Sequence, residues 1–116
     1  LDKLVTTRMH ITGGLGAVEG MEGFGAPYEL PNLTAYNETC AAVANVFFNY
    51  GMYLDSGDAK FLDIAELSLF NNSLAGINLH GDRFFYVNPL EADGVRRFNR
   101  WEWRTCQMVR VRLLSS

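Results

Sequence analysis

The chain has 116 residues, 48% of them hydrophobic and 20% charged. Ten Lys plus Arg against thirteen Asp plus Glu leave a formal charge of −3. That length suits one small domain with a core, and the composition excludes a disordered chain. An acidic balance argues against a general nucleic-acid binder, and no apolar run approaches the ~18 residues of a membrane span. Two cysteines, Cys40 and Cys106, are too few for a disulfide-rich scaffold.

Residues 1–10 read as the last turns of a helix. Leu1 is not an initiator methionine, and residues 109–116 stop inside an amphipathic run with no capping glycine. The expectation is a piece of a longer protein. Part of its apolar surface would then pack against segments outside the chain.

Residues 11–31 hold six of the eleven glycines: Gly13, Gly14, Gly16, Gly20, Gly23 and Gly25. Each glycine inside a helix costs about 1 kcal/mol, so this stretch reads as a long loop of the kind that binds a ligand or gates a site. Its Gly-Gly-Leu-Gly run lacks the Lys-Ser/Thr ending and the preceding strand of a phosphate-binding loop.

Pro31 closes the loop and Thr34 is the expected cap of a helix over 35–54. That helix is apolar nearly all round, which predicts burial on several sides. Ser56-Gly57-Asp58 breaks it, with Asp58 placed to cap a second helix over 59–75. The short link makes the two helices an antiparallel pair. Residues 77–79 and 84–87, around Gly81-Asp82, predict two short strands of a hairpin. Residues 91–104 are polar and basic with Trp101 and Trp103 interleaved, read as a solvated connection, and a last helix is expected from about Thr105. The class is all-α with a small β-hairpin.

Few residues carry clear chemical potential. Glu38 and Cys40 put a hard oxygen and a soft sulfur two residues apart at a helix entry, where they can converge on zinc. Mid-helix, the same spacing would point them apart. Cys106, at the start of another helix, sits where a helix N-terminus lowers a thiol pKa. Both cysteines read equally as small buried hydrophobes. Glu22 stands alone in the glycine-rich loop between Met21 and Gly23. It is a general acid if its pocket raises its pKa, and otherwise a solvated carboxylate. His10 and His80 have no sequence partner and read as structural or exposed. The Asn-X-Ser/Thr sequons at Asn32, Asn37 and Asn71 read as chance.

Longer motifs add a resemblance. Ile11-Thr-Gly-Gly-Leu-Gly16, Glu22-Gly-Phe-Gly25, Tyr28-Glu-Leu-Pro-Asn32, Ala35-Tyr-Asn-Glu-Thr-Cys-Ala-Ala42, Ser56-Gly-Asp-Ala59 and Arg83-Phe-Phe-Tyr-Val-Asn-Pro-Leu90 occur in order. Together they resemble glycoside hydrolase family 127, the β-L-arabinofuranosidase-like enzymes, over nearly the whole chain. The Leu-Pro-Asn to Glu-Thr-Cys block is the most specific part.

The resemblance implies that residues 1–116 are part of an (α/α)6-barrel catalytic domain, the six-hairpin glycosidase architecture. It implies a retaining glycosidase acting on L-arabinofuranosides through a zinc-bound cysteine thiolate and a glutamate acid/base. Glu22 falls on the acid/base, with Met21-Glu22-Gly23-Phe24 where the family has a Gly-Glu-Ala-Phe-like segment. Glu38 and Cys40 fall on zinc ligands. A gap-free match of Arg112-Leu113-Leu114 puts Cys106 on a further ligand and Thr105 at the nucleophile position, whereas a shift of one residue makes Cys106 the nucleophile. One family cysteine is missing either way. Two other expectations stand beside this one: an inactive relative that binds sugar, and a helical packing domain with both cysteines in its core. Thiolate zinc sites prefer reducing conditions, which points to the cytoplasm.

Overall fold

The computed structural model describes residues 2–18 and 23–91. Regular structure among them is helical: α1 (Asp2–Thr7), α2 (Thr39–Ser56), α3 (Lys60–Ser68), and a π-helical turn over Leu69–Ser73. The all-α expectation holds for these residues, and the two long helices pack on each other as the short link between them requires. Residues 92–116, with the basic stretch and the helix expected from Thr105, lie outside the described residues.

Helix α2 starts four residues later than expected. Its N-cap is Glu38 and not Thr34, because the residues before Thr39 bond to another segment instead of winding, and Glu38 has φ −61° and ψ 136°. At the far end Gly57 closes the helix with φ 70°, a left-handed cap that glycine adopts without a Cβ penalty, and its N–H donates to the Tyr53 carbonyl. The Asp58 carboxylate accepts from the Lys60 N–H at 3.1 Å, as expected of a residue at a helix entry. Helix α3 ends sooner than 75. At Leu69 the hydrogen-bonding step lengthens, and the Leu74 N–H reaches the Leu69 carbonyl at 2.9 Å. The wider turn buries Asn72 and Ser73 and leaves Phe70 exposed.

The hairpin expectation is corrected. Residues 76–85 do fold back, with Phe85 N–H on the Gly76 carbonyl and Asn78 N–H on the Arg83 carbonyl. The ladder is one bridge long, Ile77 to Phe84, and no strand forms among the described residues. Val87 pairs instead with Glu38.

The core is built of small residues. Leu15, Ala17, Ala35, Ala42, Phe61 and Ala65 are its buried apolar members. On α2 the buried stripe is Ala42, Asn45 and Asn49, whereas Phe47, Phe48, Tyr50 and Leu54 are exposed. Burial on several sides of α2 is therefore not found among the described residues. The inward face is small and polar because a backbone segment lies against it. Residues 13–17 of the glycine-rich loop are all buried. The Asn45 amide donates to Ser68 Oγ at 2.8 Å, and that hydroxyl donates to the Gly13 carbonyl at 3.1 Å. Asn49 Nδ2 donates back to Asn45 Oδ1 at 2.9 Å and to its carbonyl at 2.8 Å.

Gly13 has φ +79°, and a Cβ on it would lie 2.8 Å from the backbone N and Cα of Ser68. A left-handed residue with a Cβ costs roughly 1–2 kcal/mol and overpacking another 1–3. Gly13→Ala is therefore expected to destabilise the fold by roughly 2–5 kcal/mol, read as a lowered midpoint in urea unfolding. A midpoint unchanged from the native protein would mean that the loop does not lie on α3.

Candidate functional site

The stretch before α2 is held by residues 85–88. The Thr39 N–H donates to the Tyr86 carbonyl at 3.0 Å, and the Asn88 N–H to the Tyr36 carbonyl at 3.2 Å. Thr39 Oγ1 donates to the Phe85 carbonyl at 2.6 Å, and Asn88 Nδ2 donates to Thr39 Oγ1 at 2.9 Å. These bonds fix the backbone on both sides of Glu38. The Tyr86 hydroxyl donates to Glu38 Oε1 at 2.5 Å, and the Tyr86 ring stands edge-on to Tyr36 with centroids 6.2 Å apart. Glu38 makes no capping bond to its own helix, so its carboxylate is turned to Tyr86.

Glu38 lines a cavity of ≈ 430 Å³. The volume falls within the range of small-molecule pockets. Its walls come from three parts of the chain: Leu4 of α1; Leu15, Gly16, Gly23 and Phe24 of the loop; and Tyr36, Ala41, Ala44, Asn45 and Phe48 in and before α2. Aromatic faces beside a carboxylate suit a ligand that is apolar on its ring faces and polar at its edges, as a sugar is.

Of the residues singled out in the sequence, Glu38 sits on this cavity. Cys40 follows at the first turn of α2, half-buried, and does not line it. Glu22 and Cys106 lie outside the described residues, although Gly23, the neighbour of Glu22, lines the same cavity as Glu38. His80 is exposed.

Zinc takes carboxylate oxygen and thiolate sulfur, usually four donors in a tetrahedron. Glu38 and Cys40 are donors of both kinds on one helix entry, and the Tyr86 hydroxyl orients the carboxylate in the way that outer partners orient metal ligands. They fit as part of such a set, with Cys40 ligating as the thiolate. No group of three His, Cys, Asp or Glu side chains gathers among the described residues.

Sequence reasoning missed Tyr86, Asn88 and the pair Asn45–Ser68. Asn45 and Asn49 carried a usable signal, two amides at helical spacing in an otherwise apolar run. Tyr86 stood inside the Arg83–Leu90 family motif but carried no local signal of its role, because its partner is 48 residues away.

His10 is buried and ties the loop's two ends together. Its Nε2–H donates to the Pro31 carbonyl at 3.2 Å, and its backbone N–H donates to the Gly14 carbonyl at 2.9 Å. Nearby, Tyr28 N–H bonds the Thr7 carbonyl and the Arg8 guanidinium bonds the Gly25 carbonyl.

Comparison with known proteins gives consistent matches. Residues 1–110 match the profile described as the catalytic domain of β-L-arabinofuranosidase, GH127. A non-reducing end β-L-arabinofuranosidase of Bifidobacterium longum subsp. longum is 44% identical over 88 residues, covering 76% of this chain and 13% of that protein. A solved GH127 β-arabinofuranosidase superposes with a TM-score of 0.86 at 47% identity, covering 90% of this chain and 17% of the other. The GH127 β-L-arabinofuranosidase Ara127N-Se of Geobacillus stearothermophilus T6 gives a TM-score of 0.73 at 44% identity, covering 77% and 14%. The chain thus spans less than a fifth of the length of these three proteins.

Burial holds the His10 pKa below its ordinary 6.5, against the pull of the Pro31 and Gly14 backbone contacts. Its Nδ1 has no hydrogen-bond partner among the described residues. The unfolded chain binds the proton more readily, so this contribution to stability is complete above 6.5 and is lost as pH falls through the lowered value. Urea midpoints taken down that range are expected to fall, and to fall less steeply in His10→Gln. Equal slopes in the two proteins would assign the effect to another group.

Proposed function

Because this chain belongs to the GH127 family of β-L-arabinofuranosidase catalytic domains, we propose that the full-length protein is a retaining glycoside hydrolase releasing β-L-arabinofuranosyl residues from a carbohydrate. In it, α1 to α3 form one sector of an (α/α)6 barrel. The observation that carries the proposal is the shared cavity, since Gly23 beside Glu22 and the carboxylate Glu38 both line it. Substrate would enter where the glycine-rich loop faces the start of α2.

Glu22 gives a proton to the glycosidic oxygen as a cysteine thiolate bonds the anomeric carbon and the C–O bond breaks. It then takes a proton from the water that displaces that sulfur from the carbon, returning the thiolate. Glu38 and Cys40 would hold zinc together with Cys106, unless Cys106 is itself the attacking sulfur. Zinc, when bound, keeps a cysteine sulfur deprotonated at neutral pH. Tyr86 holds the Glu38 carboxylate in place, and Phe24 and Phe48 flank the sugar. The thiol form of Cys40 that this requires favours a reducing, cytoplasmic setting.

Two measurements on the full-length protein test the reading. Purified under reducing conditions, it is expected to carry near-stoichiometric zinc that Cys40→Ala loses. A native protein without zinc would overturn the metal assignment. In Glu22→Gln, turnover of arabinofuranosides with poor leaving groups is expected to fall by about 10²-fold or more, the usual contribution of a positioned acid. Turnover equal to that of the native protein would remove Glu22 from the chemistry.

A further inference from the structure

Asn37 precedes Glu38 and has an unusual backbone. Its φ is +37°, in the left-handed region where asparagine is enriched over other residues that carry a Cβ. The conformation is clamped on both sides. Its N–H donates to the Gly16 carbonyl at 2.9 Å, and its carbonyl accepts from Asn88 Nδ2 at 3.1 Å.

The side chain is fully buried, yet neither Oδ1 nor Nδ2 has a hydrogen-bond partner among the described residues. A buried amide that bonds nothing opposes folding, so side-chain bonding does not account for asparagine here. Its backbone does. One residue later Glu38 is extended, and at Thr39 the helix begins. A left-handed residue followed by an extended one redirects the chain in a single step. The Glu38 side chain then leaves toward Tyr86 and the cavity. Gly14 makes room for the turn, since a Cβ there would lie 2.8 Å from Asn37 Cγ and Oδ1.

We propose that Asn37 is a positioning residue for Glu38: its left-handed backbone, held by Gly16 and Asn88, aims the carboxylate of Glu38, a residue of the cavity wall, at the Tyr86 hydroxyl. The geometric claim stands by itself, and its consequence for turnover rests on the function proposed above.

Full-length protein carrying Asn37→Gly or Asn37→Ala tests it by crystal structure and by kcat and KM on an aryl β-L-arabinofuranoside. Glycine takes the left-handed conformation freely. Asn37→Gly is expected to keep the Glu38–Tyr86 hydrogen bond and a kcat within about twofold of native. Asn37→Ala is expected to lose the bond and to lower kcat roughly tenfold at little-changed KM, the equilibrium factor of a left-handed residue with a Cβ. A purely structural role would lower the melting temperature and leave kcat of the folded protein unchanged, which would overturn the proposal. Equal losses in the two variants would also overturn it, by assigning the role to the amide. Should Asn37→Ala fail to fold, Asn88→Ala removes the clamp on the Asn37 carbonyl without altering residue 37. An unchanged kcat and an intact Glu38–Tyr86 bond in that variant would overturn the proposal. If the native protein turns over no arabinofuranoside, the function above fails, and the crystallographic comparison alone decides the role of Asn37.

Discussion

The described structure depends on a backbone-to-helix contact with no side chain between. Gly13 lies directly on α3 at Ser68, and its carbonyl takes the Ser68 hydroxyl, which in turn takes the Asn45 amide. The contact demands a residue without a Cβ on the loop, a small hydroxyl on α3 and an amide on α2. Those three choices explain the small and polar core better than any count of apolar area. They also place the loop. With Gly13 pinned, Leu15 and Gly16 reach the cavity and Gly16 meets Asn37. Fixed donors and acceptors of this kind specify one arrangement, and each partner left unpaired is costly.

A second seam, residues 36–39 against 85–88, fixes the other half of the site. It has the look of a sheet, with alternating backbone bonds and a Glu38–Val87 bridge, but it stops after that single bridge. Side chains carry the rest: Thr39 and Asn88 bond across it, and Tyr86 reaches Glu38. Orientation of the carboxylate is therefore set by groups distant in the chain and close in space. An outer shell of this kind lets a ligand side chain keep its direction when nothing is bound.

How much of this was legible in the sequence follows from the range of each interaction. The paired helices and the break at Ser56-Gly57-Asp58 were legible because periodicity, a capping glycine and an aspartate act within a few residues. The start of α2 was misread because Thr34 is a better intrinsic cap than Glu38. Tertiary pairing with residues 85–88 overrode that preference. The apolar run on α2 suggested burial on several sides, and Phe47, Tyr50 and Leu54 instead face outward on this chain. In the candidate site, Glu38, which lines the cavity, was singled out through ligand-like spacing and family motifs. Tyr86, Asn37 and Asn88 were not, since nothing local distinguishes a tyrosine or an amide that will meet a partner about fifty residues away.

The wide turn at Leu69–Ser73 has a consequence for how this chain can vary in length. It holds one residue more per turn than a plain helix would. Deleting one position there would restore regular winding, swing the following chain by about 100° and draw it back by about 1.5 Å. Gly76 would then lose phase with Phe85, whose N–H it accepts, and with Asn88, whose side chain lies where a Cβ on Gly76 would go. Substitutions that preserve the count leave the register intact, whereas a one-residue deletion is transmitted through Asn88 to the residues on either side of Glu38. The extra residue acts as a spacer that sets the phase between the helix pair and the segment that holds the residues around Glu38.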